Sequence, residues 1–165
     1  MSPSGARSGG KRKDVHERAL GLLAVRQRSR RELERRLVQA GFESEAVAAE
    51  LVRLEAVGLL DDEAFAAAVV QSRLGRRGES RRAVAGRLAQ AGVDRSVAEA
   101  ALDAAGGDEQ ARADGLAIER ARRLGGLEPA VAFQRLSGFL ARRGYSPEVA
   151  RRAARTALAL ESAEG

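Results

Sequence analysis

Apolar residues recur three and four positions apart along most of this chain, the spacing of one buried helical face. Leu20, Leu23 and Ala24 share a face in a helix expected at His16–Gln27. Leu33, Leu37 and Ala40 fall within about 60° of one another on the next helix. That helix closes with "RLVQAGF" (Arg36–Phe42): a leucine, three residues, a glycine and an apolar residue. The same ending returns as "RLAQAGV" (Arg87–Val93) and "FLARRGY" (Phe139–Tyr145). It predicts a Schellman ending, in which the glycine turns left-handed and the residue after it packs back on the leucine. Ser44, Asp94 and Ser146 stand where the following helix needs an N-cap. Pro147 comes next, at a first helical position where a missing N–H does no harm.

The match extends backwards. "SRRELERRLVQAG" (Ser29–Gly41) aligns without gaps to "SRRAVAGRLAQAG" (Ser80–Gly92), and both open on a capping serine. Glu32 follows Ser29 by three residues, which predicts a capping box. Val84, Leu88 and Ala91 repeat the apolar face. The third copy, Ala132–Gly144, keeps Leu136 and Leu140 but lacks the serine and puts Arg143 where the others have alanine. Each copy has a helix before it: His16–Gln27, then Asp62–Leu74 with Phe65, Val69 and Ser72 inward, then Glu109–Leu124. Each also has one after it, at about Glu45–Val57, Arg95–Ala104 and Pro147–Leu160. In "LEAVGLLDDEAF" (Leu54–Phe65), Gly58 stops a helix, Leu59 is placed to cover Leu54, and Asp61 or Asp62 starts the next with acid at its positive end. The expected fold is all-α: three tandem three-helix, helix-turn-helix-like repeats stacked into an elongated, curved body. The repeats are placed at residues 14–58, 59–105 and 106–161, the third being divergent. Residues 1–13 lack apolar periodicity and read as a disordered basic tail. Gly75–Ser80, Gly106–Gly107 and Gly125–Gly126 read as loops.

Composition narrows the chemistry. Of 165 residues, 44% are hydrophobic but only 3% aromatic, so the core must come from Leu, Val and Ala. There is no cysteine, which excludes disulfides and thiolate metal sites. The one histidine, His16, reads as an exposed first-turn residue, and no Ser–His pairing is supported. "GRRGES" lacks the spacing and the lysine of a phosphate loop. Asp61 and Asp62 read as helix-start acids rather than metal ligands, and Glu43, Glu45, Glu50 and Glu55 as a solvated face. The expectation is a protein without catalytic residues, metal or cofactor. No apolar run reaches membrane-spanning length and no signal peptide precedes the helices, so a soluble, cytoplasmic protein is expected; a monomer is expected as well.

Charge changes the picture most. The net charge is +6 and the sequence pI about 11.0, almost all of it from arginine. Such a chain suits polyanions or acidic protein surfaces. Arg31 and Arg35 lie opposite Leu33 and Leu37, and Arg28 precedes them. Arg82 takes the place of Arg31 in the second copy, and Arg73, Arg76, Arg77 and Arg81 crowd one turn. A repeated strip could follow phosphates or a repeating acidic surface. The plain alternative is a solvated face, partly neutralised by Glu32, Glu34 and Glu79. Aromatic stacking platforms are missing, which argues against specialised single-strand binding. Asparagine is absent and the outward set is little but arginine, with Glu34 and Gln39, so base reading by a recognition helix has weak support. A general basic nucleic-acid-binding helical protein and a scaffold for some other acidic partner both stay open.

"RQRSRRELERRLVQAGF" (Arg26–Phe42), "LEAVGLLDDEAFAAAVVQSR" (Leu54–Arg73) and "RAVAGRLAQAGV" (Arg82–Val93), in this order, resemble the RecX family of recombinase regulators. The likeness covers about residues 17–105 well and continues more loosely through "FLARRGYSPEVARRA" (Phe139–Ala153). It implies three tandem three-helix repeats. It also implies a non-enzymatic protein that lodges in the helical groove of the RecA filament on single-stranded DNA. There it would block filament extension and inhibit ATP hydrolysis, strand exchange and co-protease activity. The implied partner is the RecA filament, with single-stranded DNA a weak or indirect contact. Arg26, Ser29, Glu32, Leu33, Asp61, Asp62 and Phe65 carry over as family-motif positions, mainly structural, beside the helix-ending Gly41 and Gly92. The contact residues are expected from charge alone: Arg28, Arg31, Arg35, Arg73, Arg76, Arg77, Arg81 and Arg82.

Overall fold

The computed structural model describes residues 8–164, with side chains for residues 15–163. All regular structure among them is helical. The first three helices are α1 (Ser8–Val25), α2 (Arg30–Gln39) and α3 (Ser44–Ala56). Next come α4 (Asp62–Val70), which runs on as a π-helical segment over Gln71–Arg76, then α5 (Arg81–Gln90) and α6 (Arg95–Ala105). The last three are α7 (Glu109–Ala121), α8 (Pro129–Arg142) and α9 (Pro147–Glu164).

The repeated endings form as their pattern predicts. Gly41, Gly92 and Gly144 have φ of 92°, 76° and 90°. The N–H after each glycine donates to the leucine carbonyl: Phe42 to Leu37 at 3.3 Å, Val93 to Leu88 at 3.0 Å, Tyr145 to Leu140 at 3.3 Å. The glycine N–H groups reach the carbonyls of Val38, Ala89 and Ala141. Carbonyls that a helix end leaves without partners are thus satisfied, and the three leucines are fully buried. Gly58 ends α3 the same way, with φ 75°. Here the packing differs from expectation. Leu59 stays 55% exposed, whereas Leu60, whose N–H also reaches the Leu54 carbonyl at 3.2 Å, is buried in the cluster that holds Leu54.

Helix starts follow the serines and acids with two corrections. Ser29, Ser80, Asp94 and Ser146 accept from the N–H groups of Glu32 (3.1 Å), Ala83 (3.1 Å), Ser96 (2.8 Å) and Val149 (3.3 Å). Ser44, however, is already helical; Glu43 holds the cap position and makes no side-chain cap bond. α8 begins at Pro129 rather than Ala132, because Glu128 caps it from Ala130 (3.1 Å) and Val131 (3.2 Å). α1 begins at Ser8, inside the segment read as a tail. Lys and Arg are good helix formers, and a helix extends more easily than it nucleates. Residues 1–7 of that segment lie outside the described residues. After α4, the Arg77 N–H reaches back five residues to the Ser72 carbonyl at 3.1 Å, the π pattern. The buried positions are Ala66, Val70 and Leu74, four residues apart, where the apolar spacing from Phe65 pointed to Val69 and Ser72.

The described residues group into two compact units. One comprises residues up to Ala66 with Leu88–Ala98. Its core is Val15, Ala19, Leu33, Leu37, Val47, Leu51, Leu54 and Leu60. The other comprises Ala67–Arg87 with the residues from Glu99 on. Its core is built on alanine: Ala113, Ala117 and Ala121 of α7 and Ala150, Ala153, Ala154 and Ala157 of α9, with Leu136, Leu140 and Tyr145. Small side chains let α7 and α9 approach closely.

Within each unit one helix start is gripped alike. In the first, the Ser29 hydroxyl donates to the Ala91 carbonyl, and the Arg30 N–H donates to Asp62 at 2.8 Å. A side chain at Gly92 would lie 2.6 Å from Arg31 Cβ. In the second, the Ser80 N–H donates to the Arg143 carbonyl at 2.8 Å, and the Arg81 N–H to Glu109 at 3.1 Å. A side chain at Gly144 would lie 2.6 Å from Ala83 Cβ and 2.7 Å from Ser80 Oγ. So a glycine turn and a carboxylate from the following repeat close over the serine-capped start of α2 or of α5. α8 offers no such opening: Pro129 has no N–H, and Glu128 occupies the next two donors.

Candidate partner-binding surface

The serine caps fix where the flanking arginines go, and the partly buried Glu32 and the buried Glu79 then decide which of them stay available. In the first unit Glu32 sits one turn into α2 and takes both Arg26 and Arg28, the latter at 2.5 Å. Arg28 also donates to the Leu22 carbonyl at 3.2 Å and is only 7% exposed. Glu32 therefore completes half of a capping box: its N–H bonds Ser29, but its carboxylate serves the two guanidinium groups. Burial alone would raise the Glu32 carboxyl; the hydrogen bonds and charges of Arg26 and Arg28 outweigh it and hold the carboxyl below the usual glutamate range.

The second unit repeats the clamp with other residues. Glu79, just before Ser80, accepts from Arg73 at 3.1 Å and from Arg87 at 2.6 Å. Burial opposes ionisation here too, and the two arginines again win, so the Glu79 carboxyl is lowered. Arg81 pairs with Asp103.

Three of the eight expected contact residues, Arg28, Arg73 and Arg81, are thus ion-paired within their own unit. The other five, Arg31, Arg35, Arg76, Arg77 and Arg82, are exposed and have no carboxylate partner among the described residues. Arg31 and Arg35 belong to the first unit, where Arg35 reaches the Gln90 carbonyl at 3.3 Å. Arg35, Arg36, Gln39, Gln90 and Ala91 line an open cleft of about 600 Å³ with Glu32 at its edge. Arg36 and Gln39 join this cleft because they lie one turn on from Glu32 and Arg35, a signal that the i, i+4 spacing carries. In the second unit Arg76 ends the π segment and Arg77 follows it; the Glu79 clamp and the Ser80–Arg143 bond fix the strand of chain behind them.

The motif positions divide the structural work. Arg26, Ser29 and Glu32 form the clamp and cap; Leu33 is fully buried and Phe65 is 8% exposed. Asp61 caps α4 through the Ala64 N–H at 3.0 Å, while Asp62 reaches across to Arg30. His16 and Glu50 depart from expectation. Glu50 is 7% exposed rather than solvated, and its Oε1 lies 2.5 Å from His16 Nδ1, joining α1 to α3. No described helix is long and apolar enough to cross a membrane.

Comparison with known proteins agrees with this architecture. Family models for the first, second and third three-helix domains of RecX match residues 16–54, 61–102 and 108–154. A protein of Mycobacterium avium named regulatory protein RecX is 44% identical over 135 residues, covering 79% of this chain and 77% of its own. Its namesake from Thermobifida fusca is 39% identical over 156 residues, covering 92% and 84%. Among solved structures, RecX from Lactobacillus salivarius superimposes with a TM-score of 0.74 at 18% identity, over 90% of this chain and 97% of that one. A second crystal structure of a regulatory protein RecX gives 0.67 at 23% identity, over 84% and 69%. At such identities the two structures speak for the fold.

Proposed function

The chain belongs to the RecX family of regulatory proteins, and from that premise we propose that it is a non-catalytic negative regulator of the RecA recombinase. It binds in the groove of the RecA filament on single-stranded DNA and so inhibits ATP hydrolysis, strand exchange and co-protease activity. The observation that carries this reading is the set of five exposed arginines that no carboxylate among the described residues neutralises. The clamps at Glu32 and Glu79 consume their neighbours' charge, so the remainder is left for an outside partner. Several modest contacts offered by successive repeats add up on a filament, whose surface is itself repetitive.

A second reading, binding to naked nucleic acid, is favoured by the polar cleft of Arg35, Arg36 and Gln39, which suits phosphate. One experiment separates them. The single-stranded-DNA-dependent ATPase of the cognate RecA is measured with the protein added below stoichiometry, beside a gel shift with DNA alone. Inhibition without tight DNA binding supports the regulator. Tight, steeply salt-dependent DNA binding with no inhibition supports the alternative. Arg76→Ala/Arg77→Ala/Arg82→Ala should inhibit less while melting with the unsubstituted protein, since all three side chains are exposed.

A further inference from the structure

One groove occurs in both units, and the two copies are filled differently. Leu23 and Leu74 each stand six residues before a capping serine, Ser29 or Ser80, and each lines such a groove. Gly58 and Gly106 line it too, with φ of 75° and 58° and N–H groups on the carbonyls three residues back. Asp61 and Asp108 then cap the next helix, and the residue four on donates to the cap carbonyl: Phe65 at 3.0 Å, Arg112 at 3.1 Å. Between glycine and cap the first copy has Leu59 and Leu60, the second only Gly107. Leu60 enters the core, Leu59 and Phe65 line the groove, and about 100 Å³ is left. In the second unit the groove opens to about 600 Å³ over Val70, Leu74, Ala101, Ala104 and Ala105. Arg112 is its one charged residue. The Arg112 Nη1 donates to the Gly106 carbonyl at 3.0 Å and lies 2.6 Å from where a Gly107 Cβ would stand, so the glycine makes room for it.

We infer that this groove of the second unit is a docking site for an acidic segment of the protein partner, which lays a leucine-sized side chain on the apolar floor and a carboxylate on Arg112. The floor calls for an apolar side chain, and the first copy shows the matching space taken by a leucine and a phenyl group. Charge decides the rest. Arg112 has no carboxylate partner among the described residues, and its Nε is buried without a hydrogen bond. The neighbouring acids are committed elsewhere: Asp103 to the Arg81 guanidinium, Asp108 to the Gln110 N–H at 2.9 Å, Glu109 to the Arg81 N–H at 3.1 Å. Arg76 and Arg77, exposed and equally unpaired, follow directly on Gly75 of the groove wall. A carboxylate-bearing segment therefore complements both the pocket and its edge. A nucleic-acid strand could meet these charges through its phosphates but has no aliphatic side chain for the floor, so the observations favour a protein. That the partner is RecA rests on the function proposed above.

The test uses the full chain, fluorescently labelled, titrated with RecA filaments on single-stranded DNA at several salt concentrations. Ala67→Leu/Ala104→Leu fills the groove from two exposed positions that line it, one on α4 and one on α6. Arg112→Gln removes the charge and keeps a donor for the Gly106 carbonyl. Both should melt within a few degrees of the unsubstituted chain and bind filaments about tenfold more weakly. The deficit of Arg112→Gln should shrink as salt screens the charge, and that of the filled groove should persist. Unchanged binding by both variants overturns the inference and leaves the proposed function standing. Loss by the filled groove alone overturns the carboxylate, and loss by Arg112→Gln alone overturns the apolar seat. Failure of the unsubstituted chain to bind filaments overturns both the inference and the function. Equal weakening on single-stranded DNA without RecA would assign the groove to nucleic acid and overturn the choice of a protein. Self-association that the filled groove abolishes would seat a second copy there and overturn the choice of partner.

Discussion

Replacing Gly92 and Gly41 by alanine, one at a time, separates two effects that a single glycine variant would merge. Both residues hold left-handed φ, at 76° and 92°. An L-residue there costs roughly 1–2 kcal/mol, so that part is common to both. At Gly41 the new methyl group meets nothing within 4 Å. At Gly92 it would stand 2.6 Å from Arg31 Cβ and 2.8 Å from Arg31 Cγ. Cβ is fixed to the α2 backbone, so the relief must come from moving α2 off the turn, not from swinging a guanidinium aside. Overpacking of that kind adds about 1–3 kcal/mol. The movement would also strain the bonds from Ser29 to Ala91 and from Arg30 to Asp62. For a chain of this length each kcal/mol lowers the melting temperature by about 2–4 °C. Gly41→Ala should therefore lose about 2–8 °C and Gly92→Ala about 4–20 °C, read by far-UV circular dichroism. Gly144→Ala, against Ala83 and Ser80, should follow Gly92→Ala. Equal melting of the Gly41 and Gly92 variants would refute the close approach and with it the grip of the Gly92 turn on the start of α2.

Two further outcomes are expected. Leu88→Ala and Leu37→Ala each remove a fully buried side chain and should cost about 2–5 kcal/mol in urea unfolding. Glu32 and Glu79 have carboxyls lowered in the folded chain, so their stabilisation is complete above the ordinary glutamate range and is lost as pH falls through the lowered values. Glu32→Gln and Glu79→Gln should accordingly unfold more easily than the unsubstituted chain at neutral pH, the gap closing as the solution is taken below that range; a gap independent of pH would count against the clamps.

What the sequence made legible is local. The Schellman glycines, the caps at Ser29, Ser80 and Ser146 and the buried leucines of α2, α5 and α8 depend on residues three to five apart and stand in the structure as the spacing predicts, whereas Ser44 yields its cap position to Glu43. What it hid is long-range or unperiodic. Nothing near Asp62 announces that its carboxylate bonds Arg30, or that Gly92 lies on Arg31. Glu50 sits among Ala and Leu on α3 much as a solvated acid would, and only the fold brings His16 to it. On α4 the buried face runs through Ala66 and Val70, and an alanine one place on from Phe65 gives no sign of it, so the spacing from Phe65 points to Val69 instead. The arginines show both sides. Their clustering was visible in sequence, but which of them a carboxylate consumes depended on Glu32 and Glu79 folding inward.

The self-closed start of α8 bears on how such a chain could be lengthened. The serine-capped starts of α2 and α5 already carry the glycine turns of the modules that follow them. A module grafted downstream would meet an imino acid with no proton to give and a carboxylate already seated on the next two amides. Engineered extension at that side would first have to trade Glu128 and Pro129 for a serine and an ordinary residue.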